Sequence, residues 1–264
     1  MTKNPSISIV TIFLNEEKYI KDTLISLKIQ EFKEFECILV DGGSVDRSTG
    51  IIKATIEDDK RFKLIYQKSR GISNAFKEGI QESRSNYLLF LNGGDLLATK
   101  DALTLMFQAA QENPNAIIAY RSEYLEEDGK RTGKKIPSRA PRARDLDWHC
   151  SLAHQSTLVP RELFERSGGY LPVFRVAMDY EMWLRAVWLG YQIKGYSQVT
   201  AYHRKGGVSS QLLSQSRKEV VLARWIHRGW LRFSLLKDLV QLILSSAYWM
   251  NGREKQCNRT EHSS

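Results

Sequence analysis

A chain of 264 residues, 42% apolar and 26% charged, can bury a full core in one or two domains. Its composition excludes a disordered tail, a coiled coil and a disulfide-stapled miniprotein. Cys37, Cys150 and Cys257 are too few and too scattered for a C-x-x-C zinc or redox site and fit a reducing cytosol. The net charge of +9 is uneven: from residue 203 onward eleven Lys/Arg face four Asp/Glu, so that region carries +7 and the first 202 residues +2.

Met1 leads into a polar segment rather than an apolar h-region, so no secretory signal is expected. The β-branched run Ser6 to Phe13 predicts a strand buried on both faces. Asn15 is placed to cap a following helix with Ile20, Leu24 and Leu27 at helical spacing. Phe35 to Val40 is a second strand stopped by Asp41-Gly-Gly-Ser44, then a helix runs from about Asp46 to Ile56. Phe62 to Tyr66 reads as a third strand, Ile72 to Ser83 as a third helix, and Tyr87 to Leu91 as a fourth strand ending at Asn92-Gly-Gly-Asp95. Strand and helix alternating in this way predict a parallel sheet with right-handed crossovers, and such sheets bind ligands beyond the carboxyl ends of their strands. The loops at Asp41 and Asp95 lie at those ends.

The second half is less regular. Lys130 to Arg144 holds seven Lys/Arg, two Pro and no acid, which predicts an exposed, mobile loop. Ser156 to Pro160 returns to strand, Arg161 to Ser167 is a short helix, and Asp179 to Leu189 is a helix with Met182, Ala186 and Leu189 on one side. Leu239 to Met250 is interrupted by Gln241, Ser245 and Ser246 and is too short to span a bilayer, so no integral membrane protein is expected.

No P-loop, dinucleotide fingerprint, G-x-S-x-G elbow or paired-histidine zinc site is present in the sequence. What remains are isolated acids at strand ends beside glycines. Asp41 can bind a ligand or simply form a turn. Asp95 can hold a hard divalent cation or cap the next segment, and Asp179 opens a helix, where a cap is the plain account.

Four segments in order carry a resemblance: Ser8-Ile-Val-Thr11 with Asn15, Asp41 to Asp46, Tyr87 to Asp95, and Met178-Asp-Tyr-Glu-Met-Trp-Leu-Arg185. Together with His203 and Gly206-Gly-Val-Ser209 they resemble a family 2 glycosyltransferase of the GT-A fold, in the branch that makes bacterial surface polysaccharides. The resemblance covers about residues 6 to 210. It implies an α/β, Rossmann-like, mixed but mostly parallel sheet flanked by helices over residues 1–210, divided into a nucleotide-binding half (1–112) and an acceptor half (113–210). Residues 211–264 would follow as a basic amphipathic helical tail. It also implies that Thr11, Asn15, Asp41, Gly43, Arg70 and Asn92 contact the nucleotide, that Asp95 binds Mg²⁺ or Mn²⁺, and that His203 is a phosphate or metal contact. Asp179 would be the general base of an inverting transfer from a nucleotide-sugar, expected to be a UDP-sugar, to a glycan or lipid-diphosphate-linked acceptor. The chain departs from the family in three places: Asn92-Gly-Gly-Asp95 has one carboxylate where many members have two or three, Met178 replaces the glutamate of a Glu-Asp pair, and Asn74 stands where Asp is frequent. Glu181 is the other acid near the base, but residues two apart on a helix point about 200° apart, so it should face away from Asp179.

A nucleic-acid-binding protein competes through the net charge. Against it, the basic residues gather in the tail and one loop while the sheet ends carry acids that repel phosphate backbones. A non-catalytic member of the same fold competes through the thin metal motif. For the tail, 100° per residue places Arg217, Arg224, Arg228 and Arg232 within about 80° of one another, with Leu222, Ile226, Trp230 and Phe233 opposite and Lys237 breaking the pattern. That projection predicts either an interfacial helix on an anionic membrane, making this a peripheral protein at the inner face of the plasma membrane, or a helix packed on the domain with its arginines in water.

Overall fold

The computed structural model describes residues 4–147, 150–207 and 212–228. Strand β1 (Ile7–Phe13) lies between β2 (Phe35–Asp41) and β4 (Tyr87–Asn92), and β3 (Phe62–Tyr66) extends this parallel part of the sheet beyond β2. Helices α1 (Ile20–Lys28), α2 (Ser48–Ile56) and α3 (Ile72–Glu82) are the crossovers. After the two-residue β5 (Leu96–Leu97) come α4 (Ala102–Glu112), β6 (Ile117–Leu125), β7 (Arg131–Ile136), β8 (Thr157–Pro160), α5 (Arg161–Ser167), α6 (Met178–Trp188), β9 (Ile193–Arg204) and α7 (Leu213–Arg228). The strand order is β3-β2-β1-β4-β8-β6-β9-β5, with β7 paired to β6. β8 is antiparallel to both β4 and β6, whereas β9 runs parallel to β6, so the sheet is mixed.

Alternation along the central strands splits the core in two. Val10, Ile38, Val40 and Phe90 face a cluster completed by Phe76, Tyr180 and Trp183, while Ile9, Leu39, Leu89 and Leu91 face Leu24, Ile52 and Met106. Burial on both faces is why these strands read as continuous apolar runs. At Gly79 of α3 an added Cβ would lie 2.3 Å from Cγ1 of Val10, so only glycine lets this helix lie so close to β1.

Three expectations are corrected. Asn15 does not cap a helix: it adopts a φ of +54° and α1 begins at Ile20. The basic stretch 130–144 is not a free loop. Arg131 opens β7 and pairs with buried Glu123, and Arg139 and Arg142 both reach buried Asp145. The acids that organise it lie just outside the stretch, so its own composition conceals them.

α7 packs on the domain, turning inward the face that the domain-packed reading places in water. Arg224 is 3% exposed and its Nε donates to the Tyr180 hydroxyl at 2.9 Å, whereas Leu222 and Ile226 are 40% and 53% exposed. The surface under α7 is polar. Glu219 accepts the backbone N–H groups of Arg175, Val176 and Ala177 at the start of α6, and His227 meets Glu181 at 2.8 Å. Orphan helix donors and a buried acid draw in polar residues that a hydropathy projection assigns to water. The side chain of Arg228, together with Trp230, Arg232, Phe233 and Lys237, lies outside the described residues.

Candidate active site

The sheet ladder continues into the loops at the carboxyl ends of the parallel strands. Gly42 N–H donates to Phe13 C=O at 2.9 Å, Gly93 N–H to Ile12 C=O at 2.8 Å, and Gln67 N–H to Asp41 C=O at 2.9 Å. Asp41 is 2% exposed, and its Oδ1 accepts from the N–H groups of Gly43 and Ser44 at 3.1 and 2.8 Å. Gly43 has φ +97°, which glycine adopts without strain. Asn15 locks the same turn, donating its N–H to Ser44 Oγ and accepting Val45 N–H at Oδ1, both at 2.9 Å. Asn15, Asp41 and Gly43 therefore belong to one clamped loop. Arg70 is exposed on the next loop, where Glu78 accepts the Lys68 and Ser69 N–H groups and Asn74 Nδ2 donates to the Arg70 carbonyl.

Thr11 differs from its expectation. It lies two residues inside β1, is fully buried, and its hydroxyl lies 3.7 Å from Cys37 Sγ on the next strand. Alternation turns it to the same face as Ile9 and Phe13, so its side chain does not open onto the loops.

His154 and Gln155, which sequence reasoning did not single out, connect the rest. They form a short 3-10 turn before β8, at the strand that joins the two parts of the sheet. Gln155 is 1% exposed; its Nε2 donates to Asp95 Oδ2 at 2.9 Å and approaches His203 Nδ1 at 2.8 Å. Asp95, at 4% exposure, also accepts Arg204 N–H at Oδ1 over 3.1 Å, so it is not a helix cap. With the Gln155 amide nitrogen donating, His203 Nδ1 accepts, which leaves Nε2 for the phosphate or metal contact that the family implies.

His154 reaches the other way. Its Nε2 lies 3.1 Å from Asn92 Nδ2 and its Nδ1 3.3 Å from Asp179 Oδ2. Asn92 is thus tied to the turn before β8 as well as to β4. Asp179 is partly exposed at the start of α6, with Oδ1 accepting the Tyr180 N–H at 2.7 Å. Its charge adds to burial in pushing the Cys150 thiol and the Tyr170 hydroxyl well above their usual values. Glu181 is fully buried and paired with Arg185 and His227 at 2.8 Å each, so it is spent on packing α6.

The sequence profile described as glycosyl transferase family 2 matches residues 8–168, well over half of the chain. The chain belongs to that family. A Bacillus subtilis (strain 168) protein named as the glycosyltransferase EpsH is 30% identical over 128 residues, which is 48% of this chain and 37% of EpsH. The chain thus matches little more than a third of EpsH. A PGL/p-HBAD biosynthesis glycosyltransferase of Mycobacterium tuberculosis (strain H37Rv) is 25% identical over 217 residues, covering 80% of this chain and 82% of that one. Among solved structures, S. aureus TarS 1–349 in complex with UDP-GlcNAc superimposes with a TM-score of 0.68 at 16% identity, covering 84% of this chain and 67% of TarS. The mannosyltransferase PcManGT from Pyrobaculum calidifontis, in complex with GDP-Man and Mn²⁺, gives 0.64 at 16% identity, over 93% of this chain and 74% of that one. The expected GT-A architecture is the one found.

The family implies a divalent cation, and the residues present fit one in part. Among the described residues no three His, Cys, Asp or Glu side chains form a complete cage. Asp95 nonetheless stands in an acidic neighbourhood. The Glu16 carboxyl is pushed up to about 7, first by burial and then by the charges of Asp95 and Asp46, with Arg204 offsetting part of this. Glu16 lies against the Gly-Gly turn: a Cβ on Gly93 would be 3.0 Å from Glu16 Cγ and 2.8 Å from Phe13 Cβ. Asp95 and Glu16 would hold the ion together with diphosphate oxygens, where it would act as a Lewis acid on the leaving group. Glu16 was not among the expected site residues; its position next to Asn15 was the available signal.

Proposed function

We propose that this chain is an inverting glycosyltransferase that moves a sugar from a nucleotide-sugar, most simply a UDP-sugar, to a hydroxyl of a glycan or lipid-diphosphate-linked acceptor in cell-surface polysaccharide synthesis. The observation that carries this reading is the consecutive pair His154-Gln155. Gln155 is bonded to Asp95 and His203, a cation carboxylate and a phosphate donor, while His154 is bonded to Asp179, a partly exposed carboxylate. A leaving-group site and a lone base are thereby held side by side on one rigid turn. Asp179 would take the proton of the acceptor hydroxyl as its oxygen attacks the anomeric carbon. The bond from that carbon to the diphosphate breaks on the opposite face, with the His203 Nε2–H meeting the departing oxygens. One displacement, with Glu181 held by Arg185 and His227 and so not free to act as a nucleophile, inverts the anomeric centre.

The nucleoside would be received by the clamped Asn15, Asp41 and Gly43 loop with Arg70 at its rim. The donor class is supported by the UDP-GlcNAc and GDP-Man complexes of TarS and PcManGT. Work on a lipid-linked acceptor, at the cytoplasmic face of the membrane, is supported by the basic charge beyond residue 203. Among the described residues no helix is long and apolar enough to cross a membrane.

The test is release of UDP from a panel of UDP-sugars with Mn²⁺ and glycan or polyprenyl-diphosphate acceptors. Asp179→Asn should keep donor affinity and lower turnover by about 10² or more, the usual size of a lost general base. Near wild-type turnover in that variant would remove Asp179 from the reaction. Nucleotide binding with no transfer to any acceptor would leave a non-catalytic binding protein.

A further inference from the structure

We propose that His154 is the positioning residue of Asp179, holding its carboxylate through a proton fixed on Nδ1 of a neutral ring, with Asn92 pinning the far side of that ring. The inference rests on the reading of Asp179 as the base. In this chain the position before the base cannot supply a polar partner. Met178 is 5% exposed and belongs to the core around Trp183. The Asp179 carboxylate instead meets the side chain of His154, which comes from a different element.

The protonation state follows from the partners. A carboxylate only accepts hydrogen bonds, so the contact at 3.3 Å between Asp179 Oδ2 and His154 Nδ1 requires the proton on Nδ1. In the neutral ring Nε2 is then an acceptor, and the Asn92 amide at 3.1 Å supplies the matching donor. Asn92, His154 and Asp179 thus form a directed chain from the end of β4 to the start of α6. The ring is held from other sides too. The ring of Phe76 meets it edge-on with centroids 6.2 Å apart, and its side chain is 17% exposed. Its turn is closed by Ser156 N–H and Thr157 Oγ1, which both donate to the Ala153 carbonyl, at 3.0 and 2.8 Å.

An imidazole in this place does two things. It fixes the direction of the carboxylate, leaving the remaining lone pairs of Asp179 for the acceptor hydroxyl. It also links the base to Asn92, three residues before Asp95, so that the two halves of the site move together. In Asp–His pairs of this geometry the ring orients the acid, and the orientation is worth more than the single bond because reacting groups must align.

The experiment has two readouts on the full chain. First, long-range ¹H–¹⁵N correlation of the ¹⁵N-labelled protein, at a pH where the ring is neutral, should find the His154 proton on Nδ1, and Asp179→Ala should abolish that preference. A proton on Nε2 overturns the proposal, and this needs neither substrate nor a variant of His154. Second, steady-state kinetics should show His154→Ala lowering kcat by about 10- to 100-fold with the KM for the UDP-sugar within about twofold. His154→Asn, whose Nδ2 stands near the lost Nδ1, should recover most of the loss. Equal kcat in wild type and His154→Ala, or loss of UDP-sugar affinity in place of kcat, overturns it. Asp179→Asn separates this proposal from the one beneath it. Full turnover there condemns the base assignment, whereas a slow Asp179→Asn beside a fully active His154→Ala condemns only the positioning role.

Discussion

At the scale of single residues, Glu16 carries two opposed demands. Its carboxylate lies beside Asp95 and Asp46, where charge is useful to a cation and harmful to the empty protein. Burial and those neighbours raise its pKa from 4.5 to about 7. A carboxyl raised on folding binds its proton more tightly in the native state, so the stabilisation it offers is complete below the unfolded value and is lost as pH rises through about 7. Glu16→Gln keeps the shape and removes the charge. It should therefore match the wild type near pH 4 and exceed it near pH 8, by about 1–2 kcal/mol once solvent screening of this partly exposed group is allowed for. Urea denaturation at the two pH values reads this directly. A variant less stable than wild type at pH 8 would mean that the Glu16 charge is already compensated in the unliganded protein.

At the scale of elements, what was legible in the sequence divides by the kind of partner each segment needs. β1, β2 and β4 bury apolar side chains against helices on both faces, and such burial leaves a local signature. α7 takes its inward face from Glu219, Arg224 and His227, whose partners lie more than forty residues away on and before α6, and no window on the tail contains them. The same holds for the His154-Gln155 turn, whose four partners come from β4, the loop after it, α6 and β9. Motif order placed Asp95 and Asp179 correctly on their elements, but not the turn that joins them. The packing of α7 also decides what a membrane would meet. Leu222, Trp225 and Ile226 are 40%, 43% and 53% exposed along one side, so the apolar residues and not Arg224 face outward. With net +7 beyond residue 202, association with anionic lipid should then combine apolar insertion with charge attraction. Co-sedimentation with vesicles containing phosphatidylglycerol should be strong at low salt and reduced but not abolished at high salt, and Leu222→Ser with Ile226→Ser should remove the salt-resistant part. Recovery of the wild type in the supernatant with anionic and neutral vesicles alike would assign this face to another role.

At the scale of the whole molecule, the candidate site lies where the parallel part of the sheet meets the mixed part. β8 meets β4 through Tyr87–Pro160 and Leu88–Val159, β5 meets β9 through Leu96–Tyr202 and Leu97–Ala201, and between these pairings the link runs through side chains: Asn92 to His154, Asp95 to Gln155, and Arg204 N–H to Asp95. A ligand that touches Asp95 and His203 together therefore braces this junction. Metal alone should do this poorly, because Asp95 and Glu16 do not make a complete cage among the described residues, and Mg²⁺ or Mn²⁺ would need oxygens from the diphosphate. Nucleotide alone should do it incompletely, because its phosphates would add negative charge where Glu16 is already raised by Asp95 and Asp46. Binding should thus be coupled, each partner raising the affinity of the other by the same factor. Titration calorimetry should show little heat for Mn²⁺ by itself and clear binding once UDP is present. In thermal unfolding, UDP with Mn²⁺ at a hundred times its apparent Kd should add about 2.7 kcal/mol, raising Tm by roughly 5–10 °C, while UDP in EDTA should give much less. An equal Tm shift with and without EDTA would show that Asp95 and Glu16 serve the fold and not a cation. Asp95→Asn should behave as the wild type does in EDTA. If it instead lost UDP affinity with no change in metal dependence, the carboxylate would be acting through Gln155 and His203 on the phosphates.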